Sequence, residues 1–148
     1  MGPAHLITPA QRRPHIAGRL GIKSEASDSD ISTRLVLSGL ALKDMVIPAG
    51  QTLDRLDVQD CTIGIHKGNF IRAVHFDGQE ALRLNIERSI VGRLRLPDLA
   101  SSISLTDSII AFGSDLAMGA QRVIGAPHAD LEMARCTVFG ETQARTIE

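Results

Sequence analysis

One pattern, apolar-x-apolar-x-x-small-x-apolar, recurs five times along the chain, anchored at Leu35, Leu56, Leu84, Ile103 and Leu131. It is clearest in Leu56-Asp57-Val58-Gln59-Asp60-Cys61-Thr62-Ile63-Gly64 and its three successors, which start at Leu84, Ile103 and Leu131. The anchors lie 21, 28, 19 and 28 residues apart, so alternate anchors are 49, 47 and 47 residues apart, a doublet of one short and one long coil. Repeats of this period specify a solenoid, because a single repeat buries its apolar face only against a stacked neighbour. Alternation of period two over so few residues is strand-like, and no stretch offers three helical turns with caps. The expectation is an all-β chain.

Aligned columns narrow the choice. Positions one, three and eight are aliphatic or Met in every copy, and position six is Leu40, Cys61, Ser89, Ser108 and Cys136. A column of small or apolar residues where a strand bends suits side chains stacked inside a narrow parallel β-coil. Helical repeats need longer segments, leucine-rich repeats need an Asn ladder that is missing, and left-handed hexapeptide coils need a strict period that is not found between Ile90 and Ile110.

Residues 1–32 have a different texture, with Pro3, Pro9 and Pro14, the pair Arg12-Arg13 and the polar run Ser24 to Asp30. Apolar residues show no period there, which predicts an extended arm and linker without a packed element, followed by the repeat domain over 33–148.

The run Leu84 to Pro97, then Thr106-Asp107-Ser108-Ile109-Ile110 and Arg135-Cys136-Thr137-Val138-Phe139-Gly140, resembles coils of right-handed parallel β-helices of the pectin-lyase-like superfamily. It is similar to uncharacterised bacterial β-helix segments that sit in larger proteins, some associated with phage-tail-like baseplate or injection machinery. The resemblance covers 33–148 and implies a right-handed β-helix of about five coils. Segments of that kind run on past the last coil, whereas this chain stops at Glu148, which implies a fragment or an end covered by another surface.

Position five reads Gly39, Asp60, Arg88, Asp107 and Arg135, charges that alternate coil by coil. Strands stack about 4.8 Å apart, so each Asp can meet an Arg of a neighbouring coil. Such alternation cancels the field a binding stripe needs, so a self-neutralising ladder that fixes register is expected. Cys61 and Cys136 share a column three coils apart, about 14 Å at strand spacing, too far for a disulfide, so buried free thiols are expected.

Two long arcs, 64–83 and 111–130, are the expected place for recognition, since loops on a rigid scaffold usually carry it. Their candidate interaction residues are His66, Phe70, His75, Phe76, Met118, Arg122 and His128. No second His lies two to five residues from His66, His75 or His128, so these read as solvated loop residues and not as metal ligands. The outward strand positions, among them Asp57, Asn85, Glu87, Ser104 and Glu132, show no carboxylate dyad, and the basic group Arg83, Arg88, Arg93 and Arg95 lacks a phosphate loop or interleaved aromatics.

Composition sharpens the functional expectation. Against 17 Asp+Glu stand 16 Lys+Arg, a net charge of −1, which gives no reason to expect a nucleic acid or a membrane as partner. Four Phe with no Tyr or Trp leave few rings to stack on sugars or bases. With no leader or spanning segment in the sequence and two isolated cysteines, a cytoplasmic location is expected. The chain reads as a non-catalytic structural or interaction module of a larger bacterial assembly, without a cofactor, whose partners are other protein chains or copies of itself met through coil ends or long arcs. A polymer-forming scaffold is the first alternative, and a polysaccharide lyase or hydrolase the second, on fold analogy alone.

Overall fold

Each copy of the repeat folds as the end of one strand, a tight turn and the start of the next strand. Positions one to four run as a strand with the apolar side chains inward, the chain turns at position five, and positions seven and eight begin the next strand. At position five Gly39, Asp60, Arg88, Asp107 and Arg135 all take positive φ, between 46° and 71°. This left-handed conformation bends the chain from one ladder into another within one residue, and it is one that Gly, Asp and Asn tolerate better than other residues.

A computed structural model of the protein describes residues 14–23, 33–48, 53–64, 72–76, 82–96, 102–111 and 122–148. In chain order the strands are β1 (His15–Gly21), β2 (Thr33–Ser38), β3 (Ala41–Ile47), β4 (Leu53–Gln59), β5 (Thr62–Ile63), β6 (Arg72–Phe76) and β7 (Arg83–Glu87). There follow β8 (Ile90–Val91), β9 (Arg93–Arg95), β10 (Ser102–Thr106), β11 (Ile109–Ala111), β12 (Arg122–Ala134), β13 (Thr137–Phe139) and β14 (Glu141–Ile147). No described residue is helical, and every strand pairing is parallel.

The pairings form three ladders. In the first, Leu35 pairs with Leu56, Leu56 with Leu84, Leu84 with Ile103 and Ile103 with Leu131, so the five anchors stand in one column, and Ile147 of β14 adds to Leu131. In the second, Ala41, Thr62, Ile90, Ile109 and Thr137 pair in succession. The third joins β1, β3, β6, β9, β12 and β14. Four strands serve two ladders each: β1 and β3 pass from the second to the third, and β12 and β14 from the third to the first. Pro127 of β12 lies between these roles, where the register shifts between Ala126 and Asp130, so its missing N–H costs the ladder nothing.

Between the ladders lies one apolar core. Leu56, Val58, Leu84, Ile86, Ile103, Leu105 and Leu131 of the first ladder meet Ile63, Val91 and Ile110 of the second and Met45, Leu94 and Ile124 of the third, all at most 1% exposed. Each fully buried Leu or Ile contributes about 1.5–3 kcal/mol.

Two expectations need correction. Residues His15–Gly21 are extended, but they are hydrogen-bonded in parallel to β3 and lead to the buried Ile22, so this part of 1–32 is a packed element. Its side chains are mostly exposed, which is why no apolar period betrays it. Second, Arg72–Phe76 and residues 122–126 are strand segments of the third ladder, and Asp130 already pairs in the first, so these parts of the expected arcs are not displayed loops. His75, Phe76, Arg122 and His128 therefore sit on strands, His128 with its side chain exposed. His66, Phe70 and Met118 lie outside the described residues.

Candidate functional site

Because side chains alternate along a strand, the residues flanking each anchor in the first ladder point away from the core. Those just before the anchors form a column: Arg34 pairs with Arg55 and Arg55 with Arg83, while Ser102 pairs with Asp130 and Asp130 with Thr146. Next to it runs a second column, in which Asp57 pairs with Asn85, Asn85 with Ser104 and Ser104 with Glu132. Two shallow open grooves lie on this face, and both are lined by Asn85 and Ser104.

Asp57 departs from its expected place in water. Its residue surface is only 2% exposed, because it lies beneath side chains from three strands. Its carboxylate accepts Arg34 Nε at 2.5 Å, Arg55 Nε at 2.9 Å and Asn85 Nδ2 at 2.6 Å. Burial pushes the carboxyl up, but hydrogen bonds from Arg55, Asn85 and Arg34 and the charge of Arg55 outweigh it and hold the group below the usual carboxylate range. An Asp so held is an acceptor, ill suited to giving up a proton as a general acid.

The structure places the position-six residues in one register, each just before a paired residue of the second ladder. The Ser89 hydroxyl donates to Glu87 O at 2.8 Å and accepts Cys61 N–H at 3.0 Å, and the Ser108 hydroxyl donates to Thr106 O at 2.7 Å and accepts Ser89 N–H at 3.1 Å. Cys61 and Cys136 donate their thiols to the equivalent carbonyls, Gln59 O at 3.1 Å and Ala134 O at 3.3 Å. Both thiols are free; Cys61 is buried, whereas Cys136 is half-buried, a correction to the expectation of two buried groups. Leu40 is partly buried against the core.

The charged residues at the turn pair in two separate couples. Arg88 Nε and Nη2 donate to the Asp60 carboxylate at 3.0 and 3.1 Å, and Arg135 Nε and Nη2 to Asp107 at 2.5 and 2.8 Å. A hydrogen bond from Arg135 holds Asp107 below its ordinary value, despite some desolvation. The group Arg83, Arg88, Arg93 and Arg95 is dispersed: Arg83 stands on the first ladder, Arg88 at the turn, and Arg93 and Arg95 on the third ladder.

What the repeat alignment missed is the arginine column itself. Extending each copy one residue towards the N-terminus gives Arg34, Arg55, Arg83, Ser102 and Asp130, three cations in succession. Among the described residues, no group of three or more His, Cys, Asp or Glu is gathered as for a metal, and no helix is long and apolar enough to cross a membrane. Comparison with family models, with curated proteins and with solved structures finds no match.

Proposed function

We propose that the chain is a right-handed parallel β-helix of about five coils, alternately short and long, and that it works as a non-catalytic structural or interaction module of a larger bacterial assembly. The observation that carries this reading is the register. Five copies of one repeat stack with their anchors in a single column and with the same left-handed turn at position five. Such a body is held by neighbour-to-neighbour contacts and suits a spacer or platform. The carboxylates most exposed to suspicion of catalysis are committed elsewhere: Asp57 to Arg34, Arg55 and Asn85, Asp107 to Arg135, and Asp130 to Arg145.

A test pairs a search for products with a test of rigidity. Incubation with acidic and neutral polysaccharides, read by reducing ends and by unsaturated uronate absorbance, is expected to yield no product, and amides of all three ladders are expected to exchange slowly together. Product formation that disappears in Asp57→Asn overturns the non-catalytic reading, and fast exchange throughout one ladder overturns the rigid body.

A second reading, self-association, is favoured by exposed apolar side chains on the last strands, Phe139 of β13 and Ile147 of β14. Light scattering across a wide concentration range, with refractive-index detection, decides it: mass that grows with concentration and reverts in Phe139→Ser supports a polymerising scaffold, and constant monomer mass removes it.

A further inference from the structure

The arginine column on the outward face of the first ladder has a charge imbalance that the fold does not require. Arg34, Arg55 and Arg83 stand in register, about 4.8 Å apart from strand to strand. Like charges carried on side chains at that strand spacing repel one another even in water. Among the described residues, Asp57 alone is paired with the column, and it answers two of its three members. Other acids nearby are committed or turned away: Asp54 accepts the Thr33 N–H at 2.8 Å, and Glu87 pairs with Arg88. Arg83 is exposed and makes no hydrogen bond or ion pair with any described residue.

Asp57 also orients its partners. It takes the Nε edge of both Arg34 and Arg55, and their side chains nevertheless remain 54% and 42% exposed. A guanidinium has five N–H donors in a rigid fork, so fixing Nε sets the direction of the outer nitrogens without using them up. Stacked forks of this kind match the oxygens of phosphoryl groups, which accept two parallel bonds each. Along the same column the basic run is short. After Arg83 come Ser102 and then Asp130, which Arg145 already neutralises, with the exposed Glu132 beside it, so a long polyanion following the column finds no further cation free to bind it among the described residues and meets Glu132.

We propose that Arg34, Arg55 and Arg83, held at strand spacing over the buried carboxylate of Asp57, bind a short oligophosphate anion whose adjacent phosphoryl groups bridge neighbouring guanidinium groups. Three cations less one carboxylate leave two positive charges, which calls for at least a dianion. This inference goes beyond the module reading and does not depend on it, since it needs only the register of β2, β4 and β7.

Isothermal titration of the full chain with tripolyphosphate at fixed ionic strength tests it, with orthophosphate as the single-group comparison. The expected result is one site, roughly tenfold tighter for tripolyphosphate than for orthophosphate, weakening as salt rises. Arg83→Ala is expected to keep the far-UV spectrum and melting temperature and to lose roughly tenfold in affinity, with part restored by Arg83→Lys, which keeps the charge but not the fork. Arg95→Ala, on the third ladder, is expected to bind as the parent does. A folded chain that takes up no tripolyphosphate overturns the proposal, as does unchanged affinity in Arg83→Ala or an equal loss in Arg95→Ala.

Discussion

The Ser108 hydroxyl accepts the backbone N–H of Ser89 from the neighbouring repeat at 3.1 Å, and in the same position one strand back the Ser89 hydroxyl accepts the N–H of Cys61 at 3.0 Å. The left-handed turn explains why a side chain is needed there. At position five the backbone N–H still reaches the next repeat, as when Arg88 N donates to Thr106 O at 3.0 Å, and at position seven it turns back, as when Ile109 N donates to Ser89 O at 2.9 Å. The N–H between them is left to the serine, and both serines are only 2% exposed, so water does not substitute for it.

Ser89→Ala and Ser108→Ala are therefore expected to cost about 1–3 kcal/mol each, the penalty of an orphaned buried N–H, measured by urea unfolding followed by far-UV circular dichroism. Ser89→Asp, which puts an unpaired charge in the same column, is expected to cost more than ~3 kcal/mol. A tolerated Asp means that the column faces water.

The position-five turns separate backbone preference from ion pairing. Arg88 and Asp107 hold φ at 46° and 50°, so a β-branched residue there is strained by about 1–2 kcal/mol. Arg88→Val and Asp107→Val are expected to lower stability by roughly that amount, whereas Asp107→Gly stays near neutral, because relief of backbone strain offsets the loss of a largely exposed pair. Thermal melts of the three variants check the order, and a Gly variant as damaged as the Val variant would place the weight on the Asp107–Arg135 pair instead.

How far this was legible in the sequence depends on which contact determines each feature. The anchors Leu35 to Leu131 are set by burial, and burial leaves an apolar period, so their column could be read directly. Strand β1 is set by backbone bonds to β3 with side chains outside, and β6 contributes Arg72-Ala73-Val74-His75-Phe76 to the third ladder, a segment with little alternation. Neither leaves a period to follow. Asp57 sits at an outward position by alternation, and what buries it is arginine side chains from its own and a neighbouring strand. That relation appears only once register and rotamers are known. The left-handed turn did leave a trace, Gly39 and two Asp in one column, but the two arginines that share it obscure the preference.

Acid should loosen the first ladder through Asp57. Its folded-state carboxyl titrates below its ordinary value of 3.8, so its contribution to stability is present above that value and is lost as pH falls through the lower folded value. Asp107 and Asp130, held down chiefly by hydrogen bonds from Arg135 and Arg145, act in the same direction. Urea midpoints measured from pH 6 downward are expected to fall chiefly below about pH 4, and to fall less steeply in Asp57→Asn, which is already weaker at pH 6. A parallel pH dependence in parent and variant would exclude Asp57 as a contributor.

Thiol chemistry distinguishes the two cysteines. Cys61 is fully buried in the core and its Sγ donates to Gln59 O, while Cys136 is half-buried just after the position-five turn of the last repeat. A disulfide reagent in native buffer is expected to modify Cys136 first, on the timescale of local opening, and Cys61 only at the rate at which the ladders come apart. Sub-denaturing urea should then accelerate Cys61 far more than Cys136, because only the former needs the large surface exposure that makes unfolding sensitive to denaturant. Equal rates at both sites would be incompatible with the difference in burial, and an intramolecular bond between them in unreduced protein with a register that sets them three repeats apart.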